Sequence, residues 1–344
     1  MDGIRQNTLY VMTQGAYLHR DHLTLKVEVE KRDLLSVPIH HLNSVAVFGS
    51  VMVSPGAMEL CVENGAAMTF LSMNGRIMAR VDAPQSGNVL LRREQFRRAD
   101  KEADCAAIAK PIVAGKIQNA RNLILRGARE AKEADDVRVL DDAAAALAAA
   151  LKRLPGADNL DSIRGCEGEA ARTYFGAINS LMRQQRREFE IAGRNRRPPL
   201  DPTNALLSFV YALLAHDCVA ALTAAGLDPN VGFLHADRPG RPSLALDLME
   251  EFRPLIADRL VLTLINRKEV GPEGFIKREG GAVEMDEKTR RAVVSAYQQR
   301  KQEEVTHPLL DQTAIVGLLP HLQAKLLARH IRGDIPEYPP CVLR

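Results

Sequence analysis

Hydrophobic positions change their period near residue 85. Before it, apolar residues alternate with polar ones or run in short blocks: 8–12, then Leu23, Leu25, Val27 and Val29 with Lys26 and Glu28 between them, then 44–48 and 67–71. Such patterns predict β-strands, because successive strand side chains point to opposite faces. Gly15, Gly49, Pro55-Gly56, Gly65 and Asn74-Gly75 punctuate these runs, and Asn74-Gly75 predicts a tight hairpin turn between 68–73 and 76–81. One short helix is predicted over 54–64, where Pro55 suits a first helical turn and Gly65 a C-terminal stop.

After the linker-like run Pro84-Gln85-Ser86-Gly87-Asn88 the pattern becomes helical. Apolar residues at three- and four-residue steps predict helices over 91–100, 106–131, 137–154, 162–189, 204–225, 244–264, 288–302 and 313–330. The Ala-rich stretch 142–151 reads as a helix and not as a linker, since Ala is the best helix former. Pro336, Pro339 and Pro340 argue against helix in the last residues, 333–344. The expectation is an α+β chain: an N-terminal β-rich domain, 1–85, followed by a larger all-α C-terminal domain, 86–344.

Composition narrows the class. The 344 residues are 46% hydrophobic and 26% charged, ordinary globular usage that excludes a disordered, collagen-like or disulfide-built chain. No stretch approaches about 18 consecutive apolar residues, and the start lacks the basic and apolar regions of a signal peptide. The reading is therefore a soluble, cytoplasmic protein with no membrane partner. Five scattered cysteines without a CxxC pair fit a reducing compartment and speak against structural zinc. A net charge of +3 does not by itself imply nucleic acid, so the distribution of charge matters more. Arg183, Arg186, Arg187, Arg194, Arg196 and Arg197 cluster against only Glu188 and Glu190, and Arg92, Arg93, Arg97, Arg98 and Lys101 form a second group. Arginine forks suit phosphate, although a solvated helical face has the same composition. With no Trp and 4% aromatics, base stacking is not indicated.

Gly-rich nucleotide loops, a complete P-loop around Gly115-Lys116, HExxH and GxSxG are all absent. What remains is a set of oxygen and nitrogen donors. Glu167, in Arg164-Gly165-Cys166-Glu167-Gly168-Glu169-Ala170-Ala171, sits beside the apolar face of a helix carrying Ile163, Ala170, Ala171, Tyr174 and Ile178. Gly165 and Gly168 bracket it and suggest a close approach to the backbone; an acid placed in a first helical turn by the dipole would look similar. His235 ends the segment Asp228-Pro229-Asn230-Val231-Gly232-Phe233-Leu234-His235, where a capping or core role is equally open. Asp247 and Glu250 share one helical face at i, i+3, with Ser243 as the expected N-cap, and a cation near them would relieve their repulsion. Their alternative is a solvated acidic face. If these segments converge, carboxylates with one imidazole suit Mg²⁺ or Mn²⁺ with positions left open for water and phosphate oxygens, which is phosphodiester chemistry.

Gly165-Cys166-Glu167-Gly168-Glu169-Ala170-Ala171, Arg196-Arg197-Pro198-Pro199 with Asp201-Pro202 and Asn204-Ala205-Leu206-Leu207-Ser208, Gly232-Phe233-Leu234-His235, and Ser243-Leu244-Ala245-Leu246-Asp247-Leu248-Met249-Glu250-Glu251-Phe252-Arg253 together resemble the CRISPR-associated integrase that acquires new spacers, most closely its type I members. The likeness covers nearly the whole chain, including a β-rich opening and a helix start at Gly115-Lys116-Ile117-Gln118-Asn119. It implies a metal-dependent DNA endonuclease and integrase that inserts prespacer DNA into a CRISPR repeat by attack of a 3′-hydroxyl. It also implies a homodimer associated with a small ferredoxin-like partner of the adaptation machinery. Glu167, His235 and Glu250 match the family's catalytic metal ligands for Mg²⁺ or Mn²⁺; many relatives carry Asp at the last position. Asp247 matches a supporting acidic position. A branched-DNA repair nuclease without integration, and a non-catalytic DNA-binding scaffold, are the alternatives. The β-rich domain, with no ligand candidate of its own, is the expected dimer contact.

Overall fold

The computed structural model describes residues 7–81, 88–195 and 198–343, and its two compact units fall within Met1–Gly87 and Asn88–Arg344. The first unit is built from β1 (Asn7–Val11), β2 (Tyr17–Asp21), β3 (Thr24–Val29), β4 (Arg32–Pro38), β5 (Leu42–Phe48), β6 (Met52–Val53), α1 (Pro55–Glu63), β7 (Ala67–Leu71) and β8 (Ile77–Val81). One sheet has the order β1-β5-β7-β8, the other β4-β3-β2-β6. β5 pairs in parallel with both β1 and β7. It is buried along almost its whole length, as expected for an apolar block covered on both faces. Leu18, Leu25, Val45, Val47, Leu60 and Cys61 form the heart of the core between the sheets.

The predicted helix is α1: Ser54 caps it by accepting from the Ala57 N–H at 3.1 Å, and Pro55 opens it. β7 and β8 pair antiparallel as the Asn74-Gly75 turn predicts, though across a five-residue loop closed by Ser72 N–H to Arg76 O at 2.8 Å. β2 and β4 escape the alternation rule. β2 reads Tyr-Leu-His-Arg-Asp and buries only Leu18 fully, and β4 is exposed along most of its length.

The second unit is mostly helical: α2 (Val89–Ala99), α3 (Glu102–Glu130), α4 (Ala134–Arg153), α5 (Leu160–Ala177), α6 (Arg186–Phe189), α7 (Pro202–Ala224), α8 (Ser243–Phe252), α9 (Arg259–Asn266), α10 (Glu287–Gln302) and α11 (Leu319–Arg332). α3 packs on α4, α5 and α8, and α7 packs on α8 and α11. α7 is apolar and long enough to cross a membrane by composition, yet 78% of its apolar window is buried inside this unit. Two small ribbons, β9 (Phe275–Lys277) with β10 (Val283–Met285) and β11 (Glu304–Thr306) with β12 (Thr313–Ile315), are added to the helices.

Three predicted helices are shorter than their periodicity. The run 162–189 ends as α-helix at Ala177 and passes through a 3₁₀ turn, Ile178–Leu181. Asn179 then bonds both backbone groups of Ile191, and Gln185 takes a left-handed φ of 54°, so tertiary contacts outcompete the helix. The run 244–264 is interrupted by a π-helical segment, Arg253–Asp258, which contains Pro254; proline offers no N–H and crowds the preceding turn. The run 313–330 begins as β12, and its helix starts only at Leu319. Gly115-Lys116 lies in the middle of α3 and is not a helix start.

Candidate active site

α3, α5 and α8 bring their facing sides to one cavity of about 620 Å³ whose walls include Lys116, Glu167, His235, Glu250, Arg194 and Arg253. α5 forms because Asn159 caps it, accepting from Ser162 N–H at 2.8 Å, and because Ile163, Ala170, Tyr174 and Ala177 make a buried stripe. Glu167 stands beside that stripe two turns into the helix, which corrects the first-turn alternative. A Cβ on Gly165 or Gly168 would meet no described atom within 4 Å, so within this chain nothing makes the close approach the two glycines suggested.

Close approaches occur elsewhere. A Cβ on Gly232 would lie 2.8 Å from Ser243 Cβ and 2.9 Å from Asp247 Oδ2, so the loop leading to His235 rests directly on the start of α8. Asp247, fully buried, accepts the backbone N–H groups of Phe233, Leu234 and His235 at 2.6, 2.9 and 2.9 Å and lies 2.6 Å from His235 Nδ1. A carboxylate on Nδ1 fixes the orientation of the ring and turns Nε2 toward the cavity, the arrangement second partners impose on metal-binding imidazoles. Nε2 faces Glu250 Oε1 at 3.8 Å. Ser243 is not the cap of α8: Pro242 occupies that position and Ser243 Oγ donates to Ala236 O at 3.1 Å.

Glu250 is buried, with Lys116 Nζ at 2.6 Å and Arg253 Nε at 3.1 Å. Burial alone would raise its pKa, but Arg253, Lys116 and His235 outweigh it and hold the carboxyl at about 2. Lys116 also donates to Glu167 Oε1, so one ammonium joins the two acids. Burial would lower its pKa, yet Glu250 and Glu167 raise it above the usual lysine value. Behind these groups the Arg253 guanidinium lies 4.4 Å over the Tyr211 ring, and Tyr211 Oη donates to Asp258 at 2.6 Å. Burial lifts Asp258 to about 6 against the pull of Tyr211 and Tyr174.

Glu251 points the other way. It accepts from Tyr338 Oη at 2.6 Å, Cys341 N–H at 2.7 Å and Gln323 Nε2 at 3.3 Å, and burial pushes it up to about 8. Asn119 of α3 completes the strap by donating to Glu251 O and Cys341 O. The non-helical tail is thus tied to the helix that carries Glu250. Gly115 makes room for it, since a Cβ there would lie 2.8 Å from Pro340 Cβ.

The predicted Arg cluster does not form one face. Arg186 makes a fork with Asp136, Arg183 pairs with Glu130 at 2.8 Å, and Arg194 turns inward to Asn204 and Ser208; Arg196 and Arg197 lie outside the described residues. In the other group Arg97 and Arg98 pair with Glu94. Lys116, Tyr211 and Asp258 escaped the sequence reading, since no local spacing distinguishes them. The β-rich unit, contrary to expectation, does hold one ligand-type triplet: the side chains of His19, Glu28 and Asp33 come within 4.8 Å of one another, with Lys26 Nζ already 3.3 Å from Asp33.

Lys116 thus stands between the carboxylates of Glu167 and Glu250, with His235 Nε2 turned toward Glu250, and carboxylates with an imidazole are donor types that hard divalent ions take.

Residues 9–299 match the family described as CRISPR associated protein Cas1. A CRISPR-associated endonuclease Cas1 of Moorella thermoacetica is 48% identical over 338 residues, 98% of this chain and 98% of that protein. Two solved structures share the fold. A casposase bound to integration product superposes with a TM-score of 0.82 at 20% identity, covering 96% of this chain and 92% of that one. A CAS1 protein from Thermotoga maritima gives 0.79 at 24% identity, covering 95% and 97%.

Proposed function

This chain belongs to the CRISPR associated protein Cas1 family, and on that premise we propose that it is a metal-dependent DNA endonuclease and integrase that inserts prespacer DNA into a CRISPR array. The observation that carries this reading is the meeting of Glu167, His235 and Glu250, far apart in sequence, on the wall of one cavity. Glu167, His235 through Nε2, and Glu250 would hold Mg²⁺ or Mn²⁺. Such an ion, when bound, acidifies an attacking hydroxyl and neutralises charge gathering on a phosphodiester.

The chain's own groups do the rest. Asp247 fixes the imidazole by its four contacts. Lys116 holds the two acids close and helps keep Glu250 ionised; were a divalent ion held between the acids, the ammonium would be available to a phosphate oxygen. Arg253, held over the Tyr211 ring, stands in the cavity wall where its guanidinium would orient a phosphodiester, and Arg194, bonded to Asn204 and Ser208, adds positive charge beside it. In the reaction a prespacer 3′-oxygen forms a new P–O bond as the repeat-edge phosphodiester releases its own 3′-oxygen, which takes up the proton lost by the nucleophile. One bond replaces another of the same kind, so no external energy source enters. With water as nucleophile the same groups would cleave DNA without joining it.

A homodimer and a small ferredoxin-like partner belong to this reading, as does a cytoplasmic setting. The N-terminal unit supplies the dimer face in this reading: β4 is an edge strand with Leu34 and Leu35 exposed, and an apolar edge of this kind calls for a partner. The test supplies a short duplex with free 3′-hydroxyls and a supercoiled repeat-bearing plasmid in Mn²⁺. Wild type joins the two, and Glu167→Ala or His235→Ala abolishes joining while fold and DNA affinity persist. Cleavage without joining would favour a branched-DNA nuclease; DNA binding with neither cleavage nor joining by wild type would leave only a scaffold, and full joining by both variants would remove Glu167 and His235 from the chemistry.

A further inference from the structure

The flank of α3 that turns away from Lys116 borders a second feature. Two adjoining cavities of about 1140 and 310 Å³ share Leu123, Arg126, Glu130 and Arg259 in their walls, and so form one trough; Pro254 stands in the wall of both this trough and the catalytic cavity. Arg126, Arg129, Arg183, Arg259, Arg267 and Arg300 line it.

These arginines are not evenly matched by acids. Glu130 is shared by Arg126 at 3.0 Å and Arg183 at 2.8 Å, Arg300 pairs with Glu303, and Arg267 lies 3.8 Å from Glu269. Arg259, at the first position of α9, is half-buried and its guanidinium makes no hydrogen bond or ion pair among the described residues. Arg129, exposed on the rim, has none either. Arg300 is buried and its Nε has no partner, although Nη2 donates to Leu255 O at 3.0 Å. Burial first, then the nearby Arg300 and Arg126, push the pKa of Arg259 below its usual value against the weaker opposing pull of Glu303 and Glu130, which are already paired with Arg300, Arg126 and Arg183. A solvated arginine costs nothing to leave unpaired; one drawn into a wall beside two others does. The fold therefore maintains a concentration of cationic forks that an anion would relieve.

We propose that this trough is a second nucleic-acid site, in which Arg259, with Arg129 and Arg300, binds backbone phosphates of a strand away from the reacting phosphodiester. Forked guanidiniums match phosphate oxygens bidentately, and six arginines spread over two adjoining cavities suit a chain of phosphates better than a single ion. The lining contains no Phe, Tyr or Trp, so the site reads backbone and not bases. This assignment rests on the DNA function proposed above for the choice of phosphodiester over another phosphorylated ligand.

The test is DNA binding by fluorescence anisotropy without divalent metal, over a series of salt concentrations, for wild type, Arg259→Gln and Glu167→Gln. Arg259→Gln is expected to weaken binding about tenfold. It should also lower the slope of log K against log salt by about 0.7 to 0.9, the value of one lost phosphate contact. Its melting temperature should stay level or rise, because an unpaired cation leaves the wall. Glu167→Gln should bind DNA normally and lose strand transfer. Unchanged affinity and slope in Arg259→Gln overturns the trough, even where strand transfer succeeds. If wild type performs no strand transfer while Arg259→Gln still binds less tightly, the catalytic reading fails and the trough stands. A parallel arm compares melting in inorganic phosphate and in chloride at equal ionic strength. Stabilisation by phosphate that vanishes in Arg259→Gln, with DNA affinity unchanged, would assign the trough to a small phosphorylated ligand and overturn the strand.

Discussion

Glycine-to-alanine exchange at two points around the site should move stability in opposite directions. Gly168 lies inside α5 and a Cβ there would meet nothing within 4 Å, so alanine adds helix propensity without strain. The gain is about 1 kcal/mol, mostly from the lower entropy of the unfolded chain. Gly115 lies inside α3 and would have the same gain, but its Cβ would stand 2.8 Å from Pro340 Cβ and 3.3 Å from Glu251 Cγ. Neither neighbour can retreat easily. Pro340 is rigid, and Cys341 and Glu251 are bonded to each other and, through Asn119, to α3 itself. Overpacking of this kind costs about 1 to 3 kcal/mol, and the upper end applies, so Gly115→Ala should lose about 1 to 2 kcal/mol net. Urea titration followed by circular dichroism reads both at an unchanged m-value. Destabilisation by Gly168→Ala, or stabilisation by Gly115→Ala, would refute the packing argument. A further reading is available from Gly168→Ala: if stability rises while strand transfer falls, the close approach that glycine allows is made by DNA and not by this chain.

Lys116→Met should destabilise the metal-free protein by about 3 kcal/mol, since it leaves Glu250 buried with one cation fewer. Saturating Mn²⁺ at about 100 Kd would return roughly 2.7 kcal/mol, so differential scanning fluorimetry should show a larger metal-induced rise in Tm for the variant than for wild type; a smaller rise would mean that ammonium and ion do not compete for one place. Asp258 supplies a pH signature. Its carboxyl is raised from 3.8 to about 6, so its stabilising protonated form is complete below pH 3.8 and is lost as pH climbs through 6, a swing on the order of 3 kcal/mol. Asp258→Asn should flatten stability between pH 4 and 6, measured by urea midpoints; an unaltered slope there would contradict the burial of that group.

Long, regular elements were readable because their signal is local. α3 and α10 repeat an apolar stripe for several turns and α7 is apolar nearly all round, and no tertiary contact is needed to see either pattern. The breaks were not readable. Whether 162–189 continues past Ala177 depends on Asn179 meeting Ile191, and the π-helical segment at Pro254 sits where Arg253 reaches Tyr211. Glu167, His235, Asp247 and Glu250 stood out by residue type and motif, whereas Lys116 is one of 46 Lys and Arg with nothing local to mark it.

By itself the chain's order of apolar and polar residues determined a β-rich start, a helical remainder and a short list of donors, because period and residue type act over a few neighbours. Only the folded structure decided that Asp247 would grip the His235 loop, that Lys116 would stand between two acids, that Glu251 would anchor the tail, and that the Arg259 guanidinium would make no hydrogen bond or ion pair among the described residues. Those outcomes depend on distances between segments that local periodicity does not connect, from the loop at His235 packed on Asp247 to Lys116 of α3 against Glu250 of α8, and burial turns each such distance into a charge that is either matched or left for a ligand.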